Sequence, residues 1–417
     1  MANSGPPSIE SPDRPRRRRR WLLITAIVSA TVIVAAIAGW LIFVESSRPD
    51  EPGEFYSAPS PLPDGPPGTI IRSEVVDDFV AGATTHRVLY TSTGYDGEPT
   101  AVSGLILVPD DTPPDDGRNV VAYTHGTVGV ASSCAPSLVT DPARQPLLVE
   151  GGPELLGAGY VIAATDYQGL GTPGPHPYLV GESEAMNALD SVRAARNLSD
   201  ADAGDEFVVW GHSQGGHASL FTGQLASSYT PELRLAGVAA GGPVPDLRAL
   251  FTTNVETTVG RALIAMAIHS WARVYDADLD QVLTPVARRL VGRIAKNCLY
   301  SRNQILASVP ASLALGLTFL RQPPWEIEPW KTILETNKPG GAPTAVPLLI
   351  VQGGADMIVP HDAAARLVTR LCARGETVDL RVLDGVGHLD TSKEAVPQVV
   401  DWIADRFAGK SPRTTCR

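Results

Sequence analysis

A serine between glycines stands out in the run Val208-Val209-Trp210-Gly211-His212-Ser213-Gln214-Gly215-Gly216. An apolar, β-rich stretch precedes it and a helix-forming stretch follows. Strand, sharp turn and helix in that order make a nucleophile elbow, in which the serine takes a strained backbone conformation and its Oγ stands free at the strand's end. Glycines at 211 and 215 fit a place where strand and helix nearly touch and a Cβ would clash. A serine hydroxyl is a poor nucleophile at neutral pH, so it needs a base, and the base needs an acid to orient it.

The elbow predicts the acid first and the histidine second, each after a late strand. Residues 346–353 read as a buried strand, and Gly354-Ala355-Asp356 follows its C-terminal end. A helical segment over 361–373 and a strand over 377–383 come next. Gly385-Val386-Gly387-His388 then puts a histidine in a glycine-bounded loop, and a closing helix is predicted over 396–407. Catalytic groups collect at the carboxyl ends of strands in open α/β sheets, so Ser213, Asp356 and His388 are expected to act together as nucleophile, orienting acid and general base. The oxyanion formed on acyl attack needs donors fixed in advance. One is expected from the backbone N–H of Gln214, the other from the loop His125-Gly126-Thr127 after the strand 119–124. Thr127 is the choice and Val128 its alternative.

Other titratable residues near these positions have plainer readings. Asp384 and Asp390 flank His388 but do not follow the strand that presents the acid, and are expected to be solvated. His212 and His217 lie in and just after the elbow, where packing or hydrogen bonding is the expected role. His86, His176, His269 and His361 read as ordinary surface or core residues. No HExxH, paired CxxC or Walker-type phosphate loop occurs, so no metal and no cofactor is expected.

The elements that must carry these groups begin near residue 70. Alternating strands are predicted at 84–91, 101–108, 119–124 and 160–165. A helix over 182–198, the elbow strand and a strand over 235–240 follow. This rhythm fits one doubly wound α/β domain over 69–417, with a mostly parallel sheet and helices on both faces. Residues 244–343 interrupt the alternation with helical patterns at 258–275, 279–296 and 301–320, and Trp325 and Trp330 stand near the end. An insertion at that point lies over the mouth of the site, and it is expected to be a helical lid or acyl-binding cap.

The chain has 417 residues and a formal net charge of −11. Its first 20 residues hold six arginines, five of them consecutive from Arg16 to Arg20, so the remainder is more acidic still. That balance argues against nucleic acid or an anionic membrane surface as a partner. Residues 21–44 contain no charge and are long enough, at about 1.5 Å per residue, to cross a bilayer core of about 30 Å. With arginines before the run and Glu45, Asp50, Glu51 and Glu54 after it, residues 1–20 read as a cytoplasmic tail and 21–44 as a single-pass anchor. The rest of the chain is then exported. The alternative is a cleaved signal peptide, for which Ala36-Ile37-Ala38 resembles a processing site; the apolar run continues past it through Trp40 to Val44, which favours retention. Residues 45–68, dense in Pro, Ser and Gly, read as a linker. Four cysteines in an exported chain suggest two disulfides, for which three pairings are formally possible. Cys134–Cys298 and Cys372–Cys416 are expected.

Several segments together resemble the secretory lipases of the fungal lipase A type and their actinobacterial relatives, in the α/β-hydrolase superfamily. They are Phe55-Tyr56, Pro67-Gly68-Thr69-Ile70-Ile71-Arg72, Cys134-Ala135-Pro136-Ser137 and Asp166-Tyr167-Gln168-Gly169-Leu170-Gly171. Tyr178-Leu179-Val180-Gly181, Leu189-Asp190-Ser191-Val192-Arg193-Ala194-Ala195 and the elbow complete the set. The resemblance covers residues 52–417. It implies hydrolysis of lipid or other carboxylic esters through an acyl-enzyme, with a helical cap formed by the insertion, and it supports the two disulfides. The chain departs from the family in its N-terminal span and in His125-Gly126-Thr127, where some members carry an acidic oxyanion residue. An acyltransferase using the same triad, or an inactive anchored binding module, are the alternative functions. No obligate protein partner is implied.

Overall fold

The computed structural model describes residue 5 and residues 14–46, 50–139, 149–300 and 302–416. Most of the expected basic tail, residues 1–4 and 6–13, lies outside the described residues, as do positions 47–49 of the expected linker and Ser301.

Two units are distinct: residues 1–48 and residues 49–417. Among its described residues the first contains one helix, α1 (Arg14–Ser46). Among the described residues no helix is long and apolar enough to cross a membrane, so the structure lends no support to the anchor expected at 21–44. Side chains at 33, 36, 37, 41 and 44 lie outside the description.

In the second unit nine strands, among the described residues, join in one sheet of order β1-β2-β3-β5-β4-β6-β7-β8-β9. They are β1 (Ile70–Val80), β2 (Ala83–Thr93), β3 (Pro99–Pro109), β4 (Arg118–Thr124), β5 (Val161–Thr165), β6 (Ala203–His212), β7 (Arg234–Gly241), β8 (Leu348–Gly353) and β9 (Val378–Leu383). The first three strands pair antiparallel, as does β3 with β5; from β5 across to β9 every pairing is parallel. The parallel strands are buried on both faces because successive side chains point to opposite sides. Val209, Leu348 and Ile350 enter one core cluster, whereas Val208, Trp210, Leu349 and Val351 enter the other.

Helices cover both faces. Besides α2 (Gly152–Gly157), the unit contains α3 (Gly181–Asn197), α4 (Gln214–Tyr229), α5 (Leu247–Asn254), α6 (Thr258–Val274), α7 (Leu279–Val282), α8 (Pro285–Ile294), α9 (Arg302–Leu315), α10 (Trp330–Thr336), α11 (His361–Ala373) and α12 (His388–Phe407). Leu189 and Val192 of α3, Leu220 of α4 and Leu367 of α11 pack on the first face. Leu155 of α2 with Val399, Trp402 and Ile403 of α12 pack on the second. Helices α5 to α10 lie within residues 244–343 and share a buried cluster that includes Phe251, Trp271 and Trp330, with Val130, Tyr178, Leu179, Val180 and Val359 from outside that stretch.

Several boundaries differ from the sequence expectation, among them the end of the helix expected over 301–320, which stops at Leu315. The single helix expected over 279–296 is two, because Thr284 caps α8 by accepting the N–H of Ala287 at 3.1 Å and Pro285 follows with no N–H to donate. The closing helix starts not at 396 but at His388, and Pro397 lies inside it. The expected linker is attached from Glu54 onward: Tyr56 is buried and its hydroxyl lies 3.0 Å from Ser137 Oγ, while the Gly68 N–H donates to Thr91 O at 2.6 Å.

Candidate active site

The elbow is built by close packing. β6 ends at His212, Ser213 follows at φ 59° and ψ −115°, and α4 starts at Gln214. A positive φ in a residue with a Cβ is a strain of roughly 1–3 kcal/mol that surrounding structure must over-determine. Here the determinant is Thr124, the last residue of β4. A Cβ on Gly211 would overlap the Thr124 hydroxyl and carbonyl oxygen, and one on Gly215 would overlap the same carbonyl oxygen. Glycine at both positions lets β6 and α4 close on the end of β4. The Ser213 N–H donates to Gly241 O at 2.8 Å, and its carbonyl accepts the His217 N–H at 3.0 Å.

Ser213 Oγ lies 2.9 Å from His388 Nε2, and His388 Nδ1 lies 2.6 Å from Asp356 Oδ2. The three residues predicted from strand ends therefore form one continuous hydrogen-bonded line. The turns that carry the acid and the base are stitched together: Gly354 N–H donates to Leu383 O at 2.8 Å, and Ala355 N–H to Val386 O at 2.9 Å. Asp356 is buried and well supplied with donors. Its Oδ1 accepts the N–H groups of Ile358 at 2.9 Å and Val359 at 2.8 Å, and its Oδ2 accepts Gln352 Nε2 at 3.0 Å. Burial pushes the Asp356 carboxyl up, but the hydrogen bond and charge of His388 and the two N–H donors outweigh it and hold the group below its usual range. It stays ionised and fixes the imidazole with Nε2 as the face toward serine.

Gln214 is the first residue of α4, and helix geometry leaves its N–H without an intrahelical acceptor. Gly126, beside Thr127, lies against the elbow: a Cβ built on it would be 3.9 Å from Ser213 Cβ. Thr127 Oγ1 lies 2.8 Å from the Tyr178 hydroxyl. Val128, the alternative, is buried with Cys134, Leu170 and Cys298, and its carbonyl accepts the Leu299 N–H at 2.8 Å. The disulfide Cys134–Cys298 thus joins the segment after this loop to the insertion, and Cys372–Cys416 ties the C-terminus to α11.

Around the triad the structure adds buried polar residues to which the sequence reading gave no role. Glu184 of α3 accepts Leu179 N–H at 3.0 Å and Gln214 Nε2 at 2.8 Å on one oxygen, and pairs with His217 Nδ1 at 3.0 Å through the other. His217 Nε2 reaches Asn337 O at 2.9 Å, next to the end of α10. Asp166 receives the hydroxyls of Ser103, at 2.6 Å, and Ser137, and the Ser137 N–H at 2.9 Å, which pins the segment that follows the loop 125–127. Burial raises its carboxyl, and those donors oppose the rise. His176 is buried, its Nδ1 3.0 Å from Gln168 O. The ring of His212 lies 4.7 Å from that of His388, centroid to centroid. Asp384 and Asp390 are exposed. Among the described residues no group of three or more His, Cys, Asp or Glu could hold a metal ion.

Known proteins resemble this chain along most of its length. The model of the family described as secretory lipase matches residues 152–415. A secreted triacylglycerol lipase of Malassezia globosa is 26% identical over 423 residues, covering 95% of this chain and 86% of that protein. A probable inactive lipase of Mycobacterium tuberculosis is 25% identical over 387 residues, covering 87% of this chain and 82% of its own. The crystal structure of Candida antarctica lipase A matches with a TM-score of 0.74 at 22% identity, covering 87% of each chain, and shares the α/β-hydrolase fold.

Burial, first, and the neighbouring His388 push the His212 imidazole down to about 3. Its folded value lies below the ordinary 6.5, so between the two the unfolded chain binds more protons, and stability falls as pH falls through that window. His212→Gln removes this one contribution. Urea unfolding from pH 7 to pH 4 is expected to show the stability advantage of the parent over the variant shrinking by up to about 1.4 kcal/mol per pH unit below 6.5. Glu150, raised to about 7 by burial, acts in the opposite direction but is common to both proteins. A pH-independent difference would mean that His212 is not held neutral by the fold.

Proposed function

The chain belongs to the secretory lipase family, and from that premise we propose that Ser213, His388 and Asp356 hydrolyse carboxylic esters of lipid acyl chains through an acyl-enzyme. The observation that carries the assignment is the line from Ser213 Oγ through His388 to Asp356, at 2.9 and 2.6 Å. His388 Nε2 takes the serine proton as Oγ attacks the acyl carbon, and then returns it to the leaving alkoxide. Asp356, kept ionised by its donors, stabilises the imidazolium. The N–H of Gln214 and a donor from Thr127 stabilise the oxyanion, each worth roughly 3 kcal/mol in the transition state. Water activated by His388 then cleaves the acyl-enzyme. The alternative of an inactive binding module finds no favour in a site whose three groups are all within hydrogen-bond reach.

The insertion of α5 to α10 fits a cap for apolar acyl chains. Its helices are built around an apolar cluster, and α9 leaves Ile305, Leu306 and Leu313 exposed. Ser213→Ala should lower kcat on p-nitrophenyl esters by on the order of 10⁵-fold or more while the thermal midpoint stays unchanged. Retained hydrolysis would remove the assignment. In a series from acetate to palmitate, rates are expected to peak beyond the short chains. A maximum at acetate would make the enzyme a short-chain esterase rather than a lipase.

Export is supported by the charge pattern of the N-terminus and by the description of the Malassezia globosa relative as secreted. Retention of residues 21–44 as an anchor rests on the uncharged run alone. Intact mass of the mature protein decides it: a chain that keeps residues 1–44 and fractionates with membranes is the anchored form, and one that starts near Gly39 and appears in the medium is the secreted form.

A further inference from the structure

The two oxyanion donors proposed above lie on different elements, α4 and the loop after β4, yet both reach one strap of chain leading into α3. Thr127 Oγ1 is 2.8 Å from the Tyr178 hydroxyl. Gln214 Nε2 donates to Glu184 Oε1, and that same oxygen accepts the Leu179 N–H. Between them Leu179 adopts φ 56°, a left-handed conformation in a bulky residue, and Tyr178, Leu179 and Glu184 are each no more than 2% exposed. Helix α6 of the insertion grips the strap from the other side. Tyr178 N–H donates to Ser270 Oγ at 3.0 Å, and the Tyr178 carbonyl accepts Trp271 Nε1 at 2.8 Å.

A threonine hydroxyl has one proton to give and two lone pairs to receive. If the phenol donates to Thr127 Oγ1, the threonine's own proton is left for another acceptor, and hydrogen bonds in series polarise one another in a low-dielectric site. Burial raises the Tyr178 phenol above its ordinary value, so it keeps its proton and remains able to donate.

We propose that Tyr178 is a positioning residue for the hydrolytic site: its hydroxyl donates to Thr127 Oγ1 and aims the Thr127 hydroxyl at the oxyanion, while the strap to Glu184 keeps Thr127 in register with Gln214. The inference rests on the ester-hydrolase reading and adds a route by which the insertion sets the strength of the oxyanion site. Tyr178 touches no substrate; it acts through Thr127.

The test is a double-mutant cycle on a p-nitrophenyl ester with Tyr178→Phe, Thr127→Val and the pair, plus Thr127→Ser as the conservative variant. Tyr178→Phe deletes one oxygen and preserves the ring, so it separates positioning from packing. Expected is a fall in kcat of about tenfold for Y178F with KM within about twofold, and a larger fall for T127V approaching the cost of a lost oxyanion donor, about 10²-fold. The pair should be no slower than T127V alone, because without the threonine hydroxyl the phenol has nothing to aim. T127S should retain most of the activity. If Y178F has unchanged kcat, or if the two losses multiply, the coupling does not exist and the inference fails. If T127V alone folds poorly, Y178F against T127S still decides: equal activity of the parent, Y178F and T127S overturns the inference. A parent enzyme with no ester hydrolysis at all would instead overturn the functional reading beneath it.

Discussion

The close approach of β6 and α4 to the end of β4 is the constraint on which the rest of the site depends. Thr124 occupies the crossing. Its Oγ1 lies 3.1 Å from Trp210 O, 2.9 Å from Gly215 O and 2.8 Å from Ser219 Oγ, so one buried hydroxyl ties the strand before the nucleophile to the helix after it. No side chain fits at 211 or 215 once that contact is made. The chain must therefore turn within one residue, and Ser213 takes the left-handed backbone that lifts its Oγ out of the sheet. The strain is tolerable because β6 and α4 are buried along most of their length.

The strand and turns that carry Asp356 and His388 are placed relative to that point by backbone hydrogen bonds. β7 supplies the carbonyl of Gly241 to the Ser213 N–H, and β8 supplies the carbonyl of Val351 to the Gly242 N–H at 2.8 Å. The parallel ladder thus carries the register from the nucleophile to the strand that presents Asp356. Turn-to-turn bonds between 353–355 and 383–386 then bring His388 to the start of α12. Buried polar side chains finish the site. Glu184, His217 and Asp166 would each cost several kcal/mol if left unpaired in the interior, and each has partners on more than one element. Glu184 and His217 link α3, α4 and the end of α10, and Asp166 links β3 to the segment at Ser137.

How much of this could be read from the chain follows the range of the interactions. Ser213, Asp356 and His388 were legible because each follows a strand whose apolar run is plain, and because the elbow fixes their order. Strand and helix identities were legible for the same reason, and the cysteine pairs from their positions and the family resemblance. The start of α12 was not, because Pro397 marks a boundary in sequence while the helix carries it in its interior. Nor was the break at 283–284, where a threonine cap and a proline divide an amphipathic pattern that otherwise continues. Glu184 and Asp166 gave no signal of their role: a carboxylate in a helix or loop reads as solvated unless its partners are known, and those partners include residues 30 or more positions away, Gln214 in one case and Ser103 in the other. Tyr178 stood inside a recognisable segment, but only the fold brings its hydroxyl to Thr127.

The central claim is that this packing makes one serine, and no other, a nucleophile. A fluorophosphonate reacts with a serine whose proton is removed on attack and whose adduct oxygen is held by oxyanion donors, so its site of attachment reads the whole arrangement at once. Intact mass and peptide mapping after labelling of the full chain are predicted to show a single phosphonyl group on Ser213, with labelling abolished in His388→Ala. Attachment at another residue, or labelling of Ser213 that is as fast without His388, would contradict the account.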